Sequence, residues 1–233
     1  IEAALTDGQI DRGTAVGISS VLFGAAGEST AALIGSCLLR LATSPELADR
    51  LRASTALIPR FVEEVVRLDP PFNFHYRVVR RACRLGGYDL EPEDRLMLSW
   101  ASANRDASVF EAPDEMRLDR RFPKNHVGFG RGAHFCIGSH LARMEARLVV
   151  EGVLARTAGI RLDEAKPVVH ARSIFVRRPE AVSSISLKMR SPAVSTVSVP
   201  STMPPQSRSM SSSCRFHSAV FVENFSDGEG AQP

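Results

Sequence analysis

The 233 residues are enough for one or two domains with a real core, and a hydrophobic share of 44% beside a charged share of 24% describes an ordinary globular chain. A net charge of +3 selects no polyanionic partner, and Arg77, Arg80, Arg81 and Arg84 lack the aromatic interleaving of a nucleic-acid surface, so no nucleic acid is expected. The four cysteines, Cys37, Cys83, Cys136 and Cys214, form no CxxC pair or disulfide framework, which fits a reducing setting and a cytoplasmic protein. No signal peptide opens the chain, which starts at Ile1 in mid-pattern.

From Asp11 to about Ala42 the pattern predicts one long helix, apolar almost all round, with Glu28 as the only charge between Gly13 and Leu39. Such a helix spans a membrane or crosses a soluble core. The soluble reading is preferred, because glycines and serines dilute the run and a mid-membrane carboxylate costs roughly 2.5–3.5 kcal/mol. Glu28 is therefore expected to be a buried acid, and no membrane is expected. Ser44-Pro45-Glu46 predicts a helix start with Ser44 as N-cap. A further helix runs from about Ile58 to Leu68 and stops before Asp69-Pro70-Pro71, with Glu64 and Arg67 three apart on one face.

From Asn73 to Trp100 the pattern changes to short strands and turns: Tyr76–Val79, a turn at Gly86-Gly87-Tyr88, and Arg95–Ser99. Ala101–Asp106 reads as a short helical piece. The helix from about Gly138 to Arg156 carries Leu141, Met144, Leu148 and Val149 as its apolar stripe, with Arg143, Glu145, Arg147 and Glu151 elsewhere. Weak strand signals follow at Ile174–Val176 and Ile185–Leu187. Beyond about Arg190 the chain is rich in serine and proline and is expected to be disordered, with Ala219–Val222 as an exception.

The chemistry concentrates in Phe129-Gly130-Arg131-Gly132-Ala133-His134-Phe135-Cys136-Ile137-Gly138. A thiol binds metal or attacks as the thiolate, and a helix N-terminus favours an anion placed beside it. Gly130 and Gly132 let a flat ligand approach the main chain. A nucleotide loop is excluded by the absence of a glycine at 135 and of a preceding strand. Zinc held by His126, His134, Cys136 and His140 is conceivable, although the spacing is no common zinc pattern.

This stretch resembles the haem-binding loop of the cytochrome P-450 family, the haem-thiolate monooxygenases, at six fixed positions in ten residues: Phe129, Gly130, Gly132, His134, Cys136 and Gly138. The resemblance implies that Cys136 is the proximal iron ligand of haem b, that Phe129 and Gly130 pack beside it, that His134 bonds a propionate, and that Gly138 starts the helix behind. It further implies that Arg77 is a second propionate partner. Phe72, Asn73, Phe74 and His75 would lie near substrate. Ala25-Ala26-Gly27-Glu28-Ser29-Thr30 resembles the family's oxygen-activation motif, with Glu28 as acid, Ser29 in place of the usual threonine, Thr30 beside it, and Ala26 where glycine is usual. Glu64-x-x-Arg67 resembles the family's Glu-x-x-Arg signature, with Arg120 as the third member of its network.

The implied fold is mainly α with small β-sheets (α+β), corresponding to the C-terminal part of the family fold: long distal helix, Glu-x-x-Arg helix, β hairpins, cysteine loop and proximal helix. It covers residues 1–189, with 190–233 as a tail outside the family. The segments of a complete member that precede the long helix are absent from this sequence, so that helix is expected to lack packing on one side. The implied reaction inserts one atom of O2 into a small apolar organic substrate, with electrons from NAD(P)H through a ferredoxin reductase and a ferredoxin. His134 in the loop suits the soluble bacterial class. The alternatives are a truncated, catalytically incompetent fragment with weak or no haem binding, and a zinc or scaffold protein.

Overall fold

The fold was followed in a computed structural model, which describes residues 1–180 and 185–190. After a short helix α1 (Glu2–Thr6), Asp11 caps the longest element, α2 (Arg12–Thr43), by accepting the Thr14 backbone N–H at 2.6 Å. By length and composition alone α2 could cross a membrane. Its second half lies in the protein core instead, with Ala32, Leu33, Gly35, Ser36, Cys37, Leu41 and Ala42 buried. The first half is different: every residue from Val16 to Glu28 is exposed, including Phe23 at 88%.

Helix α3 (Pro45–Ala53) begins where Pro45 predicts, but Ser44 makes no side-chain cap, and its hydroxyl reaches only Glu46 Oε2 at 3.5 Å. A single 3-10 turn at Thr55–Leu57 leads into α4 (Ile58–Leu68), in which every residue from Phe61 to Leu68 is buried. Asp69 ends this helix and accepts from Arg40 of α2 at 2.7 Å and from Arg177 at 3.1 Å, tying three distant parts of the chain together. Its carboxylate is almost fully buried, so the two guanidiniums offset its desolvation.

Strand β1 (Phe74–Val78) is followed by β2 (Cys83–Leu85), β3 (Tyr88–Leu90) and β4 (Arg95–Ser99). β1 pairs with β4 and β2 with β3, both antiparallel. Gly86 and Gly87 both have positive φ (58° and 88°), as a two-residue turn that follows the strand twist requires. Helix α5 (Trp100–Ala103) is shorter than the predicted 101–106 piece. Helix α6 (Ser139–Arg156) has Gly138 as its N-cap and runs directly into β5 (Thr157–Leu162), which pairs antiparallel with β6 (Ile185–Met189). The strand expected at Ile174–Val176 is only an isolated bridge, Phe72 to Val176.

The core joins α2, α3, α4, α6 and β5 through Leu33, Leu41, Leu51, Phe61, Val65, Val150, Leu154 and Ile160. The stripe α6 buries is Ser139, Ala146, Val150 and Leu154, whereas Leu141, Met144 and Leu148 are about half exposed. This corrects the expected stripe. The helix has apolar residues on more than one side, and contact with α2 and α4 selects which side turns inward. The expected tail, apart from Arg190, and its apolar piece Ala219–Val222 lie outside the described residues.

Candidate functional site

The loop that carries Cys136 is held by backbone geometry only glycine adopts easily. Gly130 and Gly132 both have φ of 73°, and the loop closes when the Cys136 N–H donates to the Phe129 carbonyl at 2.9 Å. The Cys136 carbonyl then accepts from Ser139 N–H at 3.2 Å, where α6 begins, which leaves the thiol just ahead of the helix and half-buried. Gly128, immediately before the loop, packs directly on α4: a Cβ there would stand 2.5 Å from Val66 Cγ1 and 3.0 Å from the Val66 carbonyl. No other residue type lets the loop lie so close to that helix.

Beneath the loop is a buried ion network. Glu64 and Arg67 are both fully buried and pair bidentately at 2.8 and 2.9 Å. Arg67 also donates to the carbonyls of Asn104, Pro113 and Glu115, while Glu64 accepts from the Arg117 N–H at 3.0 Å and from Arg120 Nε at 3.0 Å. Arg120 reaches on to the carbonyls of Glu111 and Ala112. Burial pushes the Glu64 carboxyl up, but the hydrogen bonds from Arg67, Arg117 and Arg120 together with the Arg67 charge hold it below the usual carboxylate range. Ala112 has a φ of 45°, so this network also fixes a strained backbone in the segment leading to the loop.

A second network escaped the sequence reading. Glu63, beside Glu64 but on another side of α4, accepts from Arg143 of α6 at 2.7 and 3.1 Å and from His126 Nε2 at 2.8 Å. His126 Nδ1 accepts the Gly128 N–H at 3.2 Å, which places the ring hydrogen on Nε2. Burial pushes Glu63 up as well, and its bonds to His126 and Arg143 overcome this and hold it low. Two adjacent carboxylates in a helix otherwise rich in apolar residues were the available signal.

Above the loop opens a cleft of about 1030 Å3. One side is α2 at Ala25, Ala26, Gly27, Ser29 and Thr30; the other is the loop at Phe129, Gly130, His134, Cys136 and Gly138, backed by Leu141 and Ala142. Arg77 and His75 of β1, Phe72 and Trp100 complete it. His75 accepts from Trp100 Nε1 at 2.7 Å; burial and the nearby Arg77 charge lower its pKa. Thus Ser29, Thr30, Arg77, Phe129, Gly130, His134, Cys136 and Gly138 meet in one cavity, while Glu64, Arg67 and Arg120 lie outside its lining, bonded to one another and to the segment ahead of the loop.

Glu28 is the exception. Its side chain is 52% exposed, is not part of the cleft wall, and pairs with Arg178 at 3.2 Å, so the buried acid expected from the sequence is corrected to an exposed ion pair. The expectation assumed cover over the first half of α2, and none of the described residues buries that stretch. Zinc gains no support from the geometry: among the described residues no three His, Cys, Asp or Glu side chains cluster as metal ligands, and His126 is committed to Glu63 and Gly128.

The residues present fit a haem. A free thiol lies in a roomy cleft whose lining also includes a cation, a histidine and small residues of α2, and the positive-φ glycines of its loop keep the backbone close. Comparisons agree. A family model described as "Cytochrome P450" matches residues 53–157. Cytochrome P450 144 of Mycobacterium tuberculosis is 46% identical over 180 residues, covering 77% of this chain and 41% of that protein. The chain thus spans about two fifths of the length of that curated relative. Among solved structures, CYP109E1 from Bacillus megaterium in complex with corticosterone superposes with a TM-score of 0.71 at 31% identity, over 73% of this chain and 46% of that one. Substrate-free CYP150A6 from Mycobacterium marinum gives a TM-score of 0.68 at 32% identity, over 73% and 43%. With the cysteine loop, the Glu-x-x-Arg network and the cleft wall of α2 all in place, this chain belongs to the cytochrome P450 family and carries part of its fold.

Proposed function

We propose that this chain is the haem-bearing part of a monooxygenase that inserts one oxygen atom from O2 into a small apolar organic substrate. The observation that carries the reading is that Cys136 and the Ala25–Gly27 stretch of α2 line one cleft. Haem b held there by a thiolate supplies the electron-rich iron that favours O–O cleavage.

The residues divide the remaining work. Cys136 is the metal ligand, with Phe129 and Gly130 beside it and Gly138 allowing α6 to start close to the sulfur. Arg77 and His134 hold the propionates, a planar guanidinium and an imidazole being suited to carboxylates. Ala25, Ala26 and Gly27 leave room opposite. Ser29 and Thr30 hold and pass protons on that side; the Ser29 hydroxyl donates to the Ala25 carbonyl at 2.7 Å, a bond it would have to leave to serve the cleft. Glu28 acts from outside the wall, held by Arg178 where solvent protons reach it. Leu33, Ile34 and Phe72 line the cleft with apolar surface that suits an apolar substrate, and the exposed Leu22 and Phe23 extend that surface along α2. The steroid bound by CYP109E1 is of that class. Glu64, Arg67 and Arg120 fix the segment that presents Cys136. Ferredoxin and ferredoxin reductase, drawing on NAD(P)H, supply electrons in the cytoplasm, and the protein is soluble.

A second reading is favoured by the exposed apolar face of α2: a truncated, catalytically incompetent fragment with weak or no haem binding. One experiment separates the two. The chain is produced with haem supplied, reduced, and exposed to carbon monoxide; a far red-shifted Soret band, lost in Cys136→Ala, supports the first reading. Absence of the band sinks it and leaves the second.

A further inference from the structure

Phe129 is held between two side chains. The Cζ of Arg143 lies 4.3 Å from the centre of its ring, and the His126 ring lies 5.9 Å away at 44°. Neither partner is free to wander. Arg143 is forked onto both oxygens of Glu63 and donates a further hydrogen bond to the Ser139 carbonyl at 3.2 Å, while His126 bonds the same Glu63 carboxylate. An unanchored arginine gives up rotamer entropy on being fixed over a ring. Here Glu63, 5% exposed, has already fixed it.

The backbone ties Phe129 to the cysteine, since the Phe129 carbonyl accepts the Cys136 N–H at 2.9 Å, and both residues line the same cleft. A cation over an aromatic face draws on the ring's electron density, and its near end presents positive potential. Glu63 accepts from Nε and Nη2 of Arg143 and so holds the guanidinium in place beside the ring. None of this is needed for the fold network of Glu64, which is complete without it.

We propose that Arg143 and Glu63 are positioning residues that hold a guanidinium over Phe129 and through that ring raise the reduction potential of iron ligated by Cys136. The inference rests on the haem-thiolate reading above. The expected effect is about a tenfold change in the reduction equilibrium, which is 59 mV for one electron.

The test is a double-mutant cycle on the full chain reconstituted with haem, read by spectroelectrochemistry rather than turnover. Arg143→Gln is expected to lower the midpoint potential by about that amount, and Phe129→Ala to abolish the effect of Arg143→Gln. Arg143→Lys serves as the second variant: it keeps a charge for Glu63 but has no plane to lay on the ring, and it is expected to lower the potential in the same direction. An unchanged potential with an intact thiolate band overturns the inference. So does an equal shift with and without Phe129, because Arg143 would then act by its field alone, and so does loss of haem from both Arg143 variants, which would make the contact a folding requirement. If the parent chain itself lacks the thiolate band, the haem reading falls and this one with it.

Discussion

Gly128 lies so close to Val66 that a single added methyl group would overlap the Val66 side chain and press on its carbonyl. The contact joins the residue that precedes the cysteine loop to the helix that bears both buried ion networks. Gly128→Ala is therefore expected to lower stability by about 1–3 kcal/mol, the usual range for forced overpacking. Val66→Ala in the same chain should recover part of the loss, since the side-chain clash is removed and the carbonyl contact stays. Thermal melts of the single and double variants check this; an unchanged melting temperature in Gly128→Ala would refute the close approach.

Arg67 is the only described side chain that serves Glu64 with two bonds while also reaching three carbonyls of the segment ahead of the loop. A lysine has three donors on one point charge and no fork. Arg67→Lys should cost about 3 kcal/mol or more, because buried acceptors are stranded. Arg84→Ala is the control: its pair with Asp89 spans 3.7 Å on an exposed hairpin, and the change should stay within about 0.5 kcal/mol. Denaturant unfolding of both variants measures the contrast.

Acid should unfold the protein through α4. Glu63 and Glu64 both have carboxyls held below their ordinary value in the folded state. Their contribution is complete above the unfolded value of about 4.3 and is lost as pH falls through it toward the lower folded values. Melting temperature should fall steeply below about pH 4.5, and Glu64→Gln should show a lower plateau with a flatter slope. A variant whose acid limb matches the parent would exclude Glu64 as a source of the pH dependence.

Ser29 tests the proton-handling proposal. Among the described residues its hydroxyl bonds the Ala25 carbonyl one turn back and no other group, an arrangement that adds little to helix stability. Ser29→Ala should leave the melting temperature within about 0.5 kcal/mol equivalent of the parent. In a haem-loaded, reduced sample it should raise the share of oxygen consumed without product formation. Ser29→Thr should lower that share, its β-branched rotamer being more restricted. Equal coupling in all three proteins would remove Ser29 from the chemistry.

Local patterns were legible where a short-range rule governs them. The helices 12–43, 58–68 and 139–156 follow from apolar runs bounded by Asp11, by the prolines at 70–71 and by Gly138. Glu64 and Arg67 meet because residues three apart share a helix face. The glycines at 130 and 132 announce a loop that other residues could not close. The position of Arg120 in the network followed from the family resemblance, and the structure shows its bond to Glu64.

Tertiary structure decided the rest. Glu63 meets His126 and Arg143 across 63 and 80 residues of chain, and no local periodicity encodes which of two neighbouring carboxylates turns toward α6. Glu28 sits in a run that reads as buried, yet it is exposed and paired with Arg178, because exposure depends on what packs over a helix and not on its own composition. The sequence by itself determined where the main helices run and where glycines close the Cys136 loop. Only the packing of α2, α4 and α6 around one core determined which side chains share the cleft, since burial and ion pairing are set by distances between segments far apart along the chain.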